Sequence, residues 1–215
     1  MELVQVGTER TYDAIRLKIV TLELAPGALI NEQILAAELA MPLAPVREAL
    51  KLLVHDNLVE VTSRHGLYVT DVNIPDLDQL SETRLTLEAL SARLAALRAS
   101  GDDRVVLTSL SQELAETPPD DNRRLLELDH RFHQAVAKAA HNKYLAEALE
   151  RFFGLSQRLW YLALPRLGFL PSSVEEHLKL VEAIDRQDPA RAAQLMHDHV
   201  AEFYANVRTV LNDQP

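Results

Sequence analysis

Asp129 and His133 stand four residues apart in the run LDHRFH, so on an α-helix both side chains project from one face. His177 and His199 follow at separations of 44 and 22 residues, each in a segment that also reads as a helix. One carboxylate and three imidazoles make a hard-to-borderline donor set suited to Zn, Ni, Mn or Fe. With such separations only tertiary folding can unite the four, and amphipathic helices often carry histidines at their margins without any metal. The other histidines fit a ligand role less well. His130 is rotated by about 100° from Asp129 on a helix, and His197 points nearly opposite to His199. His141 falls at a helix junction, where capping or solvation is its expected role.

The four residues need a scaffold. Beyond residue 73 the chain consists of long Leu- and Ala-rich amphipathic stretches, read as helices over 75–99, 102–117, 120–140, 142–163, 172–187 and 188–211. Breaks fall at Ser100-Gly101-Asp102, Pro118-Pro119-Asp120, His141-Asn142, Leu167 to Pro171 and Asp188-Pro189. No β pattern interrupts them, which predicts an antiparallel six-helix bundle over residues 73–215. Its first helix contains SETRLTLEALSARLAAL, with Leu80, Leu87, Leu90 and Leu94 expected to face the bundle.

Residues 1–72 have a different character. Thr8 to Leu22 reads as a helix, Ala25-Pro26-Gly27 breaks it, and Leu29 to Ala40 gives a second. Pro42 suits the first turn of a third helix, which carries Arg47 and Lys51 on one face. Leu58–Val61 and Leu67–Thr70 read as two short strands around a turn at His65-Gly66, where glycine permits tight bending. Helix, turn, helix and a β-hairpin wing is a device for laying one helix into the major groove of DNA. The predicted fold class is therefore mainly α, a winged helix-turn-helix followed by a bundle.

Composition narrows the field further. Hydrophobic residues at 47% and charged residues at 25% suit a globular protein. The absence of cysteine excludes disulfides and thiolate metal sites. MELVQVGTER lacks the basic region and apolar core of a signal peptide. No apolar run approaches the ~20 residues that span a bilayer, so a cytoplasmic protein with no membrane partner is expected. A net charge of −10 argues against nonspecific coating of nucleic acid. Residues 1–73 themselves hold six Lys or Arg against ten Asp or Glu. A DNA reader built on them would make a modest set of phosphate contacts and rely on a dimer to double it.

Glu32, Leu35-Ala36, Pro45-Val46-Arg47-Glu48-Ala49-Leu50, Leu58-Val59 and Gly66…Val69 together resemble the GntR superfamily of winged-helix repressors, over roughly residues 8–70. The resemblance implies that Arg47 meets a phosphate or base edge and Lys51 the DNA backbone, with Arg64, His65 and Gly66 at the wing tip near the minor groove. The chain departs from the family where Ser-Arg is usual and Pro42-Leu43 stands instead. An arginine there reads guanine through two hydrogen bonds, worth about 1–3 kcal/mol of discrimination. Leu43 offers only apolar contact, for instance to a thymine methyl.

Leu128-Asp129-x-x-Phe132-His133, Asn142-x-x-Leu145, Glu176-His177 and Asp188-Pro189-x-x-Ala192 through His199 resemble the FCD domain, the effector-binding half of one GntR branch, over about residues 75–211. Six helices fit its VanR-like branch better than the seven-helix FadR-like one. The resemblance implies a cavity holding a divalent metal on Asp129, His133, His177 and His199, and often a small carboxylate. Arg84, followed by Glu88, matches an Arg and Glu that the family spaces four apart. Arg84 would clamp the carboxylate through paired hydrogen bonds, or else pair with Glu88 along its own helix. Asn142 and Arg158 are further effector contacts, and Trp160 and Tyr161 belong to the core or cavity wall.

Asp and His ligands could also activate water for hydrolysis. There is, however, no HExxH motif, phosphate-cradling glycine loop or nucleophile elbow, and only six glycines from which to build loops. The reading is thus a homodimeric, metabolite-responsive transcription repressor rather than an enzyme, binding operator DNA. Its alternatives are an interaction or sensor bundle with a degenerate winged helix, and a metal-dependent hydrolase.

Overall fold

The computed structural model describes residues 2–62, 66–167 and 171–212. It separates into two compact units, Met1–Asn73 with Gly154–Leu162, and Ile74–Phe153 with Ala163–Pro215. The expected boundary at residue 72 took no account of this 154–162 stretch.

The first unit contains α1 (Glu2–Val20), β1 (Leu29–Ile30), α2 (Glu32–Glu38), α3 (Leu43–His55), β2 (Val59–Val61) and β3 (Leu67–Val69). Val46, Ala49, Leu50 and Leu53 recur at helical spacing on α3 and are buried with Ile15 and Ile19 of α1 and Leu35 of α2. That burial leaves Arg47, Glu48 and Lys51 on the outer face of α3. Asn31 starts α2 by accepting hydrogen bonds from the backbone N–H groups of Gln33 and Ile34 at 3.0 and 3.1 Å.

Two expectations for this unit need correction. Leu29 and Ile30 are extended, not helical; they pair with Tyr68 and Leu67, making a three-stranded antiparallel sheet of order β1-β3-β2. The helix waits for the Asn31 cap, and an edge strand of two residues is too short to show a period. Pro42 is the N-cap of α3, at ψ 153°, and not a residue of its first turn. A Cβ at Gly66 would stand 2.6 Å from the Tyr68 ring, so glycine lets the chain pass close to that ring. Arg64 and His65, the expected wing-tip residues, lie outside the described residues.

The second unit contains α4 (Ile74–Arg98), α5 (Gly101–Glu116), α6 (Asn122–Ala139), α8 (Pro171–Asp185), α9 (Pro189–Asn212) and both ends of α7 (Lys143–Leu167). A capping box of Ser100 and Asp103 opens α5, and Asp121 and Asp188 cap α6 and α9. α7 runs on through Pro165, which in the last turn removes one hydrogen bond without stopping the helix. α4 packs against α6, α8 and α9, and α5 against α6 and α8. On α6 the buried stripe is Leu125, Leu128, Asp129, Phe132, His133 and Val136. Two chemistry-bearing residues thus lie inside an otherwise apolar face.

Of the leucines on α4 expected to face the bundle, Leu87 and Leu94 pack against it and Leu90 does not. The buried residues of this helix are Leu77, Ser81, Arg84, Glu88, Ser91, Ala92, Ala95 and Ala96. Leu87 and Leu94 pack at the side, against Ala137, Ala140, Leu145 and Leu149, while Leu90 is 37% exposed. Arg84 points into the bundle, as the family resemblance implied, and Glu88 lies buried beside it. Among the described residues no helix is long and apolar enough to cross a membrane.

Candidate metal centre

α6 brings Asp129 and His133 inward one turn apart, α8 brings His177 and α9 brings His199, all four buried. One ligating atom from each lies within 4.8 Å of all the others. The Nε2 atoms of His133 and His199 are 3.2 Å apart, and His177 Nε2 is 3.4 Å from Asp129 Oδ1. The four residues whose sequence separations alone said little are therefore united.

A second layer fixes the imidazoles. His133 Nδ1 lies 3.1 Å from Glu88 Oε2, and His199 Nδ1 lies 2.7 Å from Glu176 Oε2. An ionised carboxylate only accepts, so Nδ1 carries the proton in both rings. Each neutral ring then directs the lone pair of Nε2 inward. Two such lone pairs at 3.2 Å repel unless a cation lies between them. Carboxylates behind ligating histidines are the usual way of fixing tautomer and raising ligand basicity.

The electrostatics agree. Burial opposes protonation of His133, but Glu88 and Asp129 outweigh it and raise its pKa above the ordinary value. Without a metal, a proton is drawn to this ring in its place. Burial lowers the pKa of His177 well below the usual range, with His199 and His133 adding to the effect. Neither ring nitrogen of His177 has a hydrogen-bond partner among the described residues. A fully buried imidazole with neither nitrogen hydrogen-bonded is costly, and ligation of a cation would relieve that cost at one of them. The donor set thus fits a divalent metal.

Arg84 is buried and donates from Nη2 to Glu88 Oε1 at 2.5 Å. Its guanidinium sits 4.9 Å from the centre of the Phe153 ring and 5.9 Å from that of Tyr204. Burial works to raise the pKa of Glu88, yet His133 and Arg84 overcome it and hold the carboxyl down at about 2. Glu88 therefore joins the guanidinium to the imidazole. The pairing along α4 is present, and Arg84 Nε still lacks a hydrogen-bond partner among the described residues.

The two other expected effector contacts, Asn142 and Arg158, each have a partner in the backbone. Asn142 Oδ1 accepts from the backbone N–H of Leu145 at 3.3 Å, as a helix-start residue of α7. Arg158 is buried in the first unit and donates from Nη1 to the Thr70 carbonyl and Oγ1, at 2.8 and 2.9 Å. Trp160 is buried, as expected of a core residue. Sequence reasoning missed the ligand-supporting roles of Glu88 and Glu176. The only signal for them was their place within matched motifs, since nothing local distinguishes a buried helical glutamate from a solvated one.

His130 is not a plain surface residue: its ring stacks on Phe153 at 4.4 Å and faces Glu150. His141 ends α6 in the left-handed region, φ 47°, with Nε2 2.9 Å from Asp103 Oδ2. That is the junction role its position implied.

Comparison with known proteins assigns both halves. Residues 8–69 match the bacterial regulatory proteins of the gntR family, and residues 79–202 match the FCD domain. The chain is 25% identical over 207 residues to the HTH-type transcriptional regulator YdhC of Bacillus subtilis (strain 168), covering 94% of this chain and 91% of that one. It is 27% identical over 184 residues to the HTH-type transcriptional repressor GlaR of Escherichia coli (strain K12), covering 81% and 84%. In fold it resembles E. coli McbR/YncC, with a TM-score of 0.85, 21% identity, and coverage of 94% and 97%. YdhC and GlaR are named as a regulator and a repressor of transcription, and the hydrolase alternative falls with that finding and the family matches. The chain belongs to the GntR family of DNA-binding transcriptional regulators, in the group that carries an FCD domain.

Proposed function

We propose that this regulator is a homodimeric, cytoplasmic repressor whose helical unit holds a divalent metal on Asp129, His133, His177 and His199. The observation that carries the proposal is the pair of Nε2 atoms, 3.2 Å apart and backed by carboxylates. When bound, the metal supplies a Lewis-acidic point able to accept a carboxylate oxygen from a small organic acid. Arg84 supplies the complementary charge, as a buried guanidinium joined to the centre through Glu88 and His133. Arg47 and Lys51 meet the operator from the exposed face of α3, with the wing beside them. Leu90 and Leu97, seven residues apart on α4 and both exposed, support association with a second copy.

For the acid to regulate, it must favour one DNA-binding state of the protein over another. A coupling of about 1–3 kcal/mol, about 5- to 150-fold in operator affinity, is the working range of such switches. The test is elemental analysis of purified protein, followed by thermal-shift screening against mono-, di- and tricarboxylates and titration of duplexes from its own promoter. Support is bound metal, a carboxylate that stabilises only metal-loaded protein, and operator affinity that moves with it. Protein without metal that answers no carboxylate overturns the sensing half. Promoter binding no tighter than binding to unrelated duplex marks a degenerate winged helix.

A further inference from the structure

The exposed face of α3 holds Arg47 in a defined orientation. Arg47 Nε donates to Glu32 Oε2 at 2.8 Å, across fifteen residues of sequence and between two helices. Glu32 is the first residue of α2, in a turn fixed by the Asn31 cap. Its side chain is 28% exposed and that of Arg47 56%, so the carboxylate is the more sheltered partner. Surface ion pairs stabilise a fold very little, and stability does not account for this one.

Its geometry does suit recognition. A guanidinium presents an edge formed by Nε and one Nη, and an end formed by both Nη atoms. Bidentate reading of guanine or clamping of a phosphate uses two parallel N–H groups. With Nε held by Glu32, the two Nη atoms remain for DNA. Orientation matters more here than where several donors share the task, because Pro42 and Leu43 bring no side-chain donor to the start of α3. Lys51, the other cation on that face, is an exposed point charge beside Glu48.

We infer that Glu32 is a positioning residue for DNA reading, holding one edge of the Arg47 guanidinium so that its other N–H groups face the duplex. This rests on the proposal that Arg47 contacts DNA. It runs against simple charge counting, in which an acidic residue beside the DNA-binding face only repels phosphate. The two accounts predict opposite signs.

The experiment selects duplexes from a random-sequence pool with the wild-type protein. Binding of the enriched duplex and of the unselected pool is then measured for wild type, Glu32→Gln, Arg47→Ala and the double variant. Glu32→Gln is expected to keep the wild-type thermal midpoint and to lose about tenfold affinity for the enriched duplex, with pool binding unchanged or tighter. In the Arg47→Ala background it is expected to cause no further loss. Equal tightening on both DNAs, or losses that simply add, overturns the inference. If the wild type enriches nothing, or Arg47→Ala binds the enriched duplex like wild type, the Arg47 assignment itself fails and takes this one with it.

Discussion

His133 and His199 face each other through bare Nε2 atoms at 3.2 Å because Glu88 and Glu176 each hold the opposite nitrogen. With both Nδ1 atoms protonated, the two Nε2 lone pairs repel unless a proton or the proposed metal lies between them. Metal removal should therefore destabilise the second unit. A ligand present at a thousand times its Kd adds about 4 kcal/mol to stability, so EDTA should lower the melting temperature by several degrees. His177→Ala and His199→Ala should each lower bound metal and shrink the EDTA effect, leaving the winged helix folded. Wild-type metal content in the purified double variant would end the site assignment.

The pH dependence should change sign with the metal. In metal-free protein the raised pKa of His133 gives stability that is complete below the unfolded value, near 6.5, and lost as pH rises through the folded value. His177 acts oppositely: its lowered pKa means that acidification below 6.5 favours the unfolded chain. Metal-free protein should thus grow more stable from pH 8 down to about 6.5 and less stable below that. Metal-loaded protein should only weaken over that upper range, because protons compete for the ligating nitrogens. Melting curves at pH 8, 6.5 and 5.5, with and without EDTA, check the crossing.

The two supporting carboxylates should not be equivalent. Glu88 is buried between Arg84 and His133, whereas Glu176 is partly exposed behind His199. Glu88→Gln leaves a buried guanidinium without its counter-ion, at a cost of about 3–5 kcal/mol. Glu176→Gln should mainly weaken metal binding, by about 10- to 100-fold, with little effect on metal-free stability. Denaturant unfolding and competitive metal titration of the two variants separate these outcomes. Similar losses in both would show that Glu88 acts on the metal alone.

The residues themselves explain which parts were legible in sequence. Asp129 and His133 could be paired because helical spacing is a local rule, and the six bundle segments could be counted because Gly, Pro and Asp mark their ends. Arg84 was placed toward the cavity by the family resemblance and not by hydropathy, and the burial of Glu88 and Ser91 was not legible: the hydropathy pattern on α4 points to its leucines, whereas Glu88 is held inside by His133 of α6. β1 escaped because its two residues become a strand only when Leu67 and Tyr68 arrive from elsewhere. Local rules reached the elements and the donor set. Pairings that depend on tertiary partners, such as Glu176 with His199, lay beyond them.

Arg158 shows the same dependence and supplies a last test. Its position on α7 suggests an effector contact, yet its Nη1 donates to both oxygens of Thr70, at 2.8 and 2.9 Å. Thr70 Oγ1 in turn donates to the Asn57 carbonyl at 2.8 Å, so the chain just after β3 is held from two directions. Hydrogen bonds from a charged donor contribute about 1.5–3 kcal/mol, and Arg158→Ala should cost the first unit roughly that amount. Thr70→Val keeps the carbonyl acceptor and should cost less, about 0.5–1.5 kcal/mol. Faster hydrogen exchange at Val59–Val61 and Leu67–Val69 would locate the effect. Carboxylate affinity in Arg158→Ala should stay at the wild-type value; a fall beyond tenfold would return Arg158 to the effector site and leave Thr70 as its resting partner.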